Sequence, residues 1–405
     1  MLIASQSNAG DDRAALYPRE LLPIFDDTFV RSWDLFEEYV ARLAIAVFHS
    51  TGLEAACRGH AASDQFAAGP FTVDQTVAGA GLAPSVARVP AAWVLAMLAS
   101  RGWIHAIAGA DGEMCYRLER PLPSLEPDEI RTAQERHDPR CLPAYHVAAL
   151  AAEHYPAVLR GQMSGEQALF GAEGIGAWVK YFSNGNPLYA ISNAVGAIAA
   201  EQALRGDGEA ILEVGAGLGS GAEALLDRLD AVGAAARISA YRFTEISALF
   251  LRRAQRTLAA RRPGYPIAFA ALDIDRPFAE ADVLPESYSL VYGVNVLHVA
   301  RNLGATLNEL RQALRHGGAL VMSECVRPFP GTPLHLELVF NLLSAFRDPV
   351  RVPGWRPNGG FLTPEQWTAA LEANGFVDVR IFPDIAAIRQ TNPSFVVAAV
   401  VARRA

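Results

Sequence analysis

Two residues near the C-terminal third of the chain have the types and spacing to move a proton. His298 lies in "GVNVLHVAR" (293–301), at the end of an apolar, strand-like run. A buried strand of Val and Leu has no packing use for an imidazole at its tip. Glu324 ends the next such run, "ALVMSE", 26 residues further on. If the two runs are neighbouring strands of a parallel sheet, their backbones lie roughly 4.8 Å apart and the side chains can meet. A carboxylate beside an imidazole favours its protonated form, raises its basicity and fixes its tautomer. A general base facing a weak acid needs those properties. The plainer reading is a histidine that caps a strand end, with a solvated glutamate nearby.

A second constellation lies upstream. "ILEVGAGLGSG" reads as a strand that breaks into Gly215, Gly217, Gly219 and Gly221 before a helix. Glycines there let the chain turn sharply and let backbone approach a ligand more closely than any Cβ permits. A dinucleotide fingerprint fits poorly because Ser220 interrupts it, and a phosphate-binding P-loop would need a lysine that is missing. S-adenosylmethionine, which has no phosphates, fits better. Glu213 would face its cationic methionine end. Glu245, closing "YRFTE" 24 residues after the last glycine, would take the ribose hydroxyls. Asp273 in "ALDID", at the tip of a third strand, would take the adenine amino group.

These residues resemble the class I S-adenosylmethionine-dependent methyltransferases, over about residues 206–405. "ILEVGAGLGSG", "YRFTEIS", "LDI", "NVLHVAR" and "LRHGGALVMSE" are similar to the C-methyltransferase domains of polyketide synthases and to free-standing relatives in natural-product pathways. That resemblance implies a His298–Glu324 base. It also implies a cofactor set of Glu213, Gly215, Gly217, Gly219, Glu245, Asp273, Ile274 and Asn295. Ser289, in "SYSLVYG", departs from the family, which usually has Asp before that strand.

The elements that must position these residues follow from the pattern of the chain. From Glu209 onward, apolar strands alternate with helical segments, which indicates an α/β, Rossmann-like doubly wound parallel sheet. Residues 1–140 read as a mostly α domain, and 141–205 as a helical linker and active-site cover. In the first stretch, Trp33, Phe36, Val40, Leu43 and Val47 fall at helical spacing. A helix near Thr72, another from about Ser85 to Ser100, and the strands "WIHAI" and "MCYRL" then suggest a winged helix. Its second helix carries only Arg88 and Arg101 among apolar residues, too few cations for reading a DNA groove. This half is similar to the dimerisation domain of small-molecule O-methyltransferases, which implies a homodimer.

Weaker substrate candidates are Tyr181, Arg327 and His335. Tyr181 precedes the first strand, and Arg327 follows Glu324 closely enough to clamp a carboxylate. His335 is expected on the surface of an amphipathic lid helix in "TPLHLELVFNLLSAF". His146 and His154 lack a third ligand, so no metal is expected. A formal charge of −8 argues against affinity for nucleic acid or anionic membrane. The four scattered cysteines suit reduced thiols. No run of about 18 apolar residues and no signal-peptide pattern is present, so a cytoplasmic protein is expected.

The sequence therefore predicts a methyltransferase of secondary metabolism, with S-adenosylmethionine as cofactor. The preferred acceptor is a carbon next to a carbonyl, in a small-molecule or carrier-bound acyl substrate. O-methylation of a phenol or enol is the alternative within enzymes. A winged-helix regulator that senses S-adenosylmethionine is the alternative from another class.

Overall fold

The structure, a computed structural model, describes residues 17–58, 70–109, 113–171 and 174–405. These gather into two compact units. One holds residues 31–181 and 329–348, and the other holds 17–30, 182–328 and 349–405. In this division residues 141–181 group with the first unit and 182–205 with the second.

The first unit is mainly helical. Helix Asp27–Ser50 buries Trp33, Phe36, Val40, Leu43 and Val47, the residues picked out by their spacing. Helix Val73–Gly79 opens with a reciprocal cap between Thr72 and Gln75, and helix Pro84–Ser100 follows a turn at Gly81. Strands β1 (Phe71–Thr72), β2 (His105–Ala108) and β3 (Met114–Arg117) form a small antiparallel sheet in the order β1-β3-β2. Helix Pro84–Ser100 buries Ala87, Trp93, Val94, Leu95, Met97 and Leu98, and the Trp93 indole donates to the Leu334 carbonyl at 2.8 Å. These apolar residues are covered within the chain.

The expected lid helix in residues 332–346 is not one helix. It is two single turns, Glu337–Phe340 and Ser344–Arg347, and it belongs to the helical unit. Tertiary partners take the carbonyls that a continuous helix would use internally. The Arg347 guanidinium donates to the Asn341 and Leu342 carbonyls, and the Tyr155 hydroxyl to that of Leu338.

The second unit is built on seven strands: β4 (Glu209–Glu213), β5 (Ile238–Thr244), β6 (Ile267–Ala270), β7 (Tyr288–Val294), β8 (Leu314–Cys325), β9 (Phe376–Phe382) and β10 (Val397–Arg404). Their order is β6-β5-β4-β7-β8-β10-β9. The five strands β4 to β8 run parallel, as their near-continuous apolar sequences require. The last strand, β10, inserts antiparallel between β8 and β9, so the sheet is mixed rather than wholly parallel. Ser289 makes a double link between strands. Its hydroxyl donates to the Ala210 carbonyl and accepts from the Ala210 amide, both at 3.0 Å.

Helix Pro187–Ala203 lies against β7, β8 and β10. It approaches closely because position 196 is glycine: a Cβ there would stand 2.9 Å from the Ser323 Cβ and 3.1 Å from the Tyr292 hydroxyl. Gly196→Val should therefore destabilise the fold by about 1–3 kcal/mol, the usual cost of overpacking. Urea and thermal denaturation measure it, and an unchanged midpoint would contradict this close packing.

Candidate active site

The glycine loop joins β4 to helix Ser220–Ala231, with Gly215, Gly217 and Gly219 at φ of 58°, 57° and 92°. Side chains rarely adopt such values. At Gly215 space forbids one as well, since a Cβ would lie 2.2 Å from the Val296 Cγ2. Neighbouring strands pin the loop on both sides: the Val214 amide donates to the Tyr292 carbonyl, and the Ala216 amide to that of Thr244, both at 2.9 Å. Over Gly217 a Cβ would meet nothing within 4 Å, so the loop presents bare backbone to open space.

Parallel strands in the order β6-β5-β4 bring three acids to one edge of the sheet. Glu245 follows β5 and is 6% exposed. Its Oε2 accepts from the Gly217 amide at 2.8 Å and its Oε1 from the Ser247 amide at 2.7 Å. Burial pushes this carboxyl above its ordinary value, while those amides draw it back. Each oxygen retains lone-pair capacity for a vicinal diol. Asp273 follows β6 and is half-buried, its Oδ1 accepting from the Asp275 amide. The carbonyl of Ile274 beside it accepts from the Thr306 hydroxyl. Ile246, directly after Glu245, is 64% exposed and was not singled out by sequence. An apolar residue next to a strand-end acid would have been the signal.

Glu213 is fully enclosed at the end of β4. Its Oε2 accepts from the Tyr241 hydroxyl at 2.8 Å. Burial pushes the carboxyl up to about 8, and the Glu245 carboxylate adds to the rise.

The other pair sits where β7 and β8 end. β7 runs into Asn295, whose φ of 52° turns the chain, and then into a 3-10 turn at Leu297–Val299. His298 is 2% exposed and Glu324 fully buried, with Nδ1 and Oε2 2.7 Å apart. The remaining oxygen of Glu324 accepts from two backbone amides, Val296 at 3.1 Å and Leu297 at 2.7 Å. One carboxylate thus shapes the turn and orients the ring that the turn carries. Since a carboxylate only accepts, Nδ1 carries the hydrogen, and proton uptake falls to Nε2. Asn295 contributes by accepting from the Cys325 amide at 3.1 Å through Oδ1.

Arg356, which the sequence did not reveal, completes the frame. It is fully buried and donates to the carbonyls of Ala300 (2.6 Å) and His298 (2.8 Å). Burial pulls its guanidinium down to about 10. No motif in "GWRPNGG" marks it. The Phe361 ring packs on His298 with centroids 4.7 Å apart, and Arg327 donates through Nε to the Phe361 carbonyl at 3.2 Å. Arg327 therefore braces the segment beside the imidazole.

His335 and Tyr181 belong to the helical unit. His335 is not on a helix surface as expected: it is 4% exposed, with Trp33 and Phe36 edge-on to its ring at 5.4 Å each. Burial drives its imidazole down to about 3, so it stays neutral. Tyr181 is buried against Trp178. Among the described residues, no cluster of three or more His, Cys, Asp or Glu could hold a metal. No single described helix is long and apolar enough to cross a membrane.

Comparison with known proteins places a methyltransferase domain at residues 212–320. The match runs from β4 into β8 and shows that segment to be a methyltransferase domain. A non-reducing polyketide synthase from Macrophomina phaseolina is 32% identical over 238 residues, 57% of this chain and 10% of that protein. The chain thus spans about a tenth of that relative's length. Two carbon methyltransferases share the fold along nearly the whole chain. CurJ superposes with a TM-score of 0.74 at 20% identity, covering 98% of both chains. DszA gives 0.69 at 22% identity, covering 98% of this chain and 96% of its own.

The raised Glu213 carboxyl has a consequence for stability. It binds its proton more tightly folded than unfolded, so ionising it destabilises the ligand-free protein. The penalty is absent below the ordinary value of 4.5, grows as pH rises towards about 8, and is complete above that. Glu213→Gln should melt close to wild type near pH 4.5 and clearly above it at pH 8.5. A difference that does not change with pH would show that Glu213 is not protonated in the folded protein.

Proposed function

We propose that this chain methylates a carbon next to a carbonyl in a polyketide-type acyl substrate, free or carrier-bound. The buried His298–Glu324 pair carries the reading. A phenol near pKa 10 ionises partly without help, whereas a carbon acid depends on a positioned base. Glu324 holds the Nδ1–H tautomer, and Nε2 takes the proton from the acceptor carbon. Bound S-adenosylmethionine supplies an electrophilic methyl group. The bare backbone at Gly217, the Glu245 carboxylate and Asp273 fit its nucleoside, and Glu213 fits its cationic end. The polyketide synthase relative and the carbon methyltransferases of like fold support the acceptor class.

Single-turnover methyl transfer to a β-ketoacyl thioester tests the base. His298→Ala should slow it by roughly 10²–10⁴ while S-adenosylhomocysteine binds as before. Glu324→Gln should be nearly as slow. Its amide oxygen must serve the two backbone N–H groups, so its NH₂ faces Nδ1 and forces the hydrogen onto Nε2. Near-wild-type rates in either variant would refute the mechanism. Glu245→Ala should weaken S-adenosylhomocysteine by about 2–4 kcal/mol in calorimetry.

A further inference from the structure

A chain of side-chain amides near the glycine loop ends in an acceptor with no donor. Asn184 donates through Nδ2 to the Ser220 carbonyl at 2.9 Å, which fixes its own Oδ1 as an acceptor. That Oδ1 receives the Asn193 Nδ2 at 2.7 Å. The orientation of Asn193 is thereby set, and its Oδ1 is left buried without a hydrogen-bond partner. Unpaired buried carbonyls are costly, yet flipping this amide would set its oxygen against the Asn184 Oδ1, two acceptors face to face.

The orphan oxygen is not alone. Position 221 is glycine, and a Cβ there would stand 3.6 Å from the Asn193 Oδ1 and 3.3 Å from the Glu213 Oε1. Two acceptors from separate elements, helix Pro187–Ala203 and strand β4, therefore converge beside one bare Cα. The Glu213 Oε2 is already engaged by Tyr241. Two converging acceptors, one of them a carboxyl, suit a cation with several N–H donors.

We propose that Asn193 and Glu213 together hold the α-ammonium group of the cofactor, with Asn184 as the positioning residue that locks the Asn193 amide. This rests on the methyltransferase reading above and adds a ligand from outside the glycine motif. It also gives the buried Glu213 a counter-charge. The ionisable groups around Glu213 are Tyr189 on helix Pro187–Ala203, Tyr241 on β5, Tyr292 on β7 and Glu245 beyond β5, and burial raises all four. None supplies a positive charge, so the arriving ammonium does.

Calorimetry with two ligands tests the assignment. S-adenosylhomocysteine carries the ammonium, whereas 5′-methylthioadenosine keeps the nucleoside and thioether but lacks the amino-acid portion. Asn193→Ala should weaken S-adenosylhomocysteine roughly 10- to 100-fold and leave 5′-methylthioadenosine within about twofold. Asn184→Ala, which frees the amide to turn, should give a smaller loss confined to the same ligand. At pH 7, S-adenosylhomocysteine should also release about one proton from wild type, read from buffers of different ionisation heat, and 5′-methylthioadenosine none. An Asn193→Ala protein that binds S-adenosylhomocysteine unchanged, or loses both ligands equally, overturns the proposal. A wild type that binds neither ligand overturns the methyltransferase reading, and the proposal with it.

Discussion

The burial of Glu324 constrains everything around it. A carboxylate sealed at the end of a central strand must have its charge compensated, because moving an ion out of water costs several kcal/mol. Three donors compensate it: the amides of Val296 and Leu297 and the imidazole of His298. Those amides are free to serve because Asn295 turns the chain out of the strand before the 3-10 turn begins. Arg356 secures the far side of the turn through the carbonyls of His298 and Ala300. The imidazole is therefore held by packing and hydrogen bonds at once, and its tautomer follows from the same carboxylate.

At the neighbouring strand ends the electrostatics are of the opposite kind. Glu213 and Glu245 are both buried, and the Glu245 carboxylate makes ionising Glu213 harder. Glu245 is eased by two backbone amides, whereas Glu213 has a single tyrosine hydroxyl. The asymmetry fits the roles proposed above: Glu245 as a carboxylate that accepts hydroxyl groups, and Glu213 as the acid that meets a positive charge. Both sets of residues sit at the carboxyl ends of parallel strands, where doubly wound sheets place their ligands.

The sheet unit supplies every side chain of the proposed chemistry, while the helical unit holds His335 and Tyr181 in its own packing. The segment after β8 shows how a surface-like sequence can end inside. "TPLHLELVFNLLSAF" carries helical periodicity, yet it breaks into two turns because Arg347 and Tyr155 claim its carbonyls. The break leaves His335 enclosed by Trp33 and Phe36 instead of facing solvent.

The sequence by itself determined what depends on local rules. Glycines alternating after an apolar strand set the loop, strand-end acids marked Glu213, Glu245 and Asp273, and apolar strands alternating with helical segments indicated the α/β class. His298 and Glu324 were legible because an ionisable residue closing an apolar run has few structural explanations. Tertiary structure alone decided what depends on long-range pairing. Arg356 reaches His298 across 58 residues and Asn184 reaches Ser220 across 36, with no sequence pattern joining them. The antiparallel course of β10 and the regrouping of residues 329–348 likewise follow from which surfaces meet. A buried polar group must find its partner wherever the folded chain brings one, and sequence spacing carries no record of that meeting.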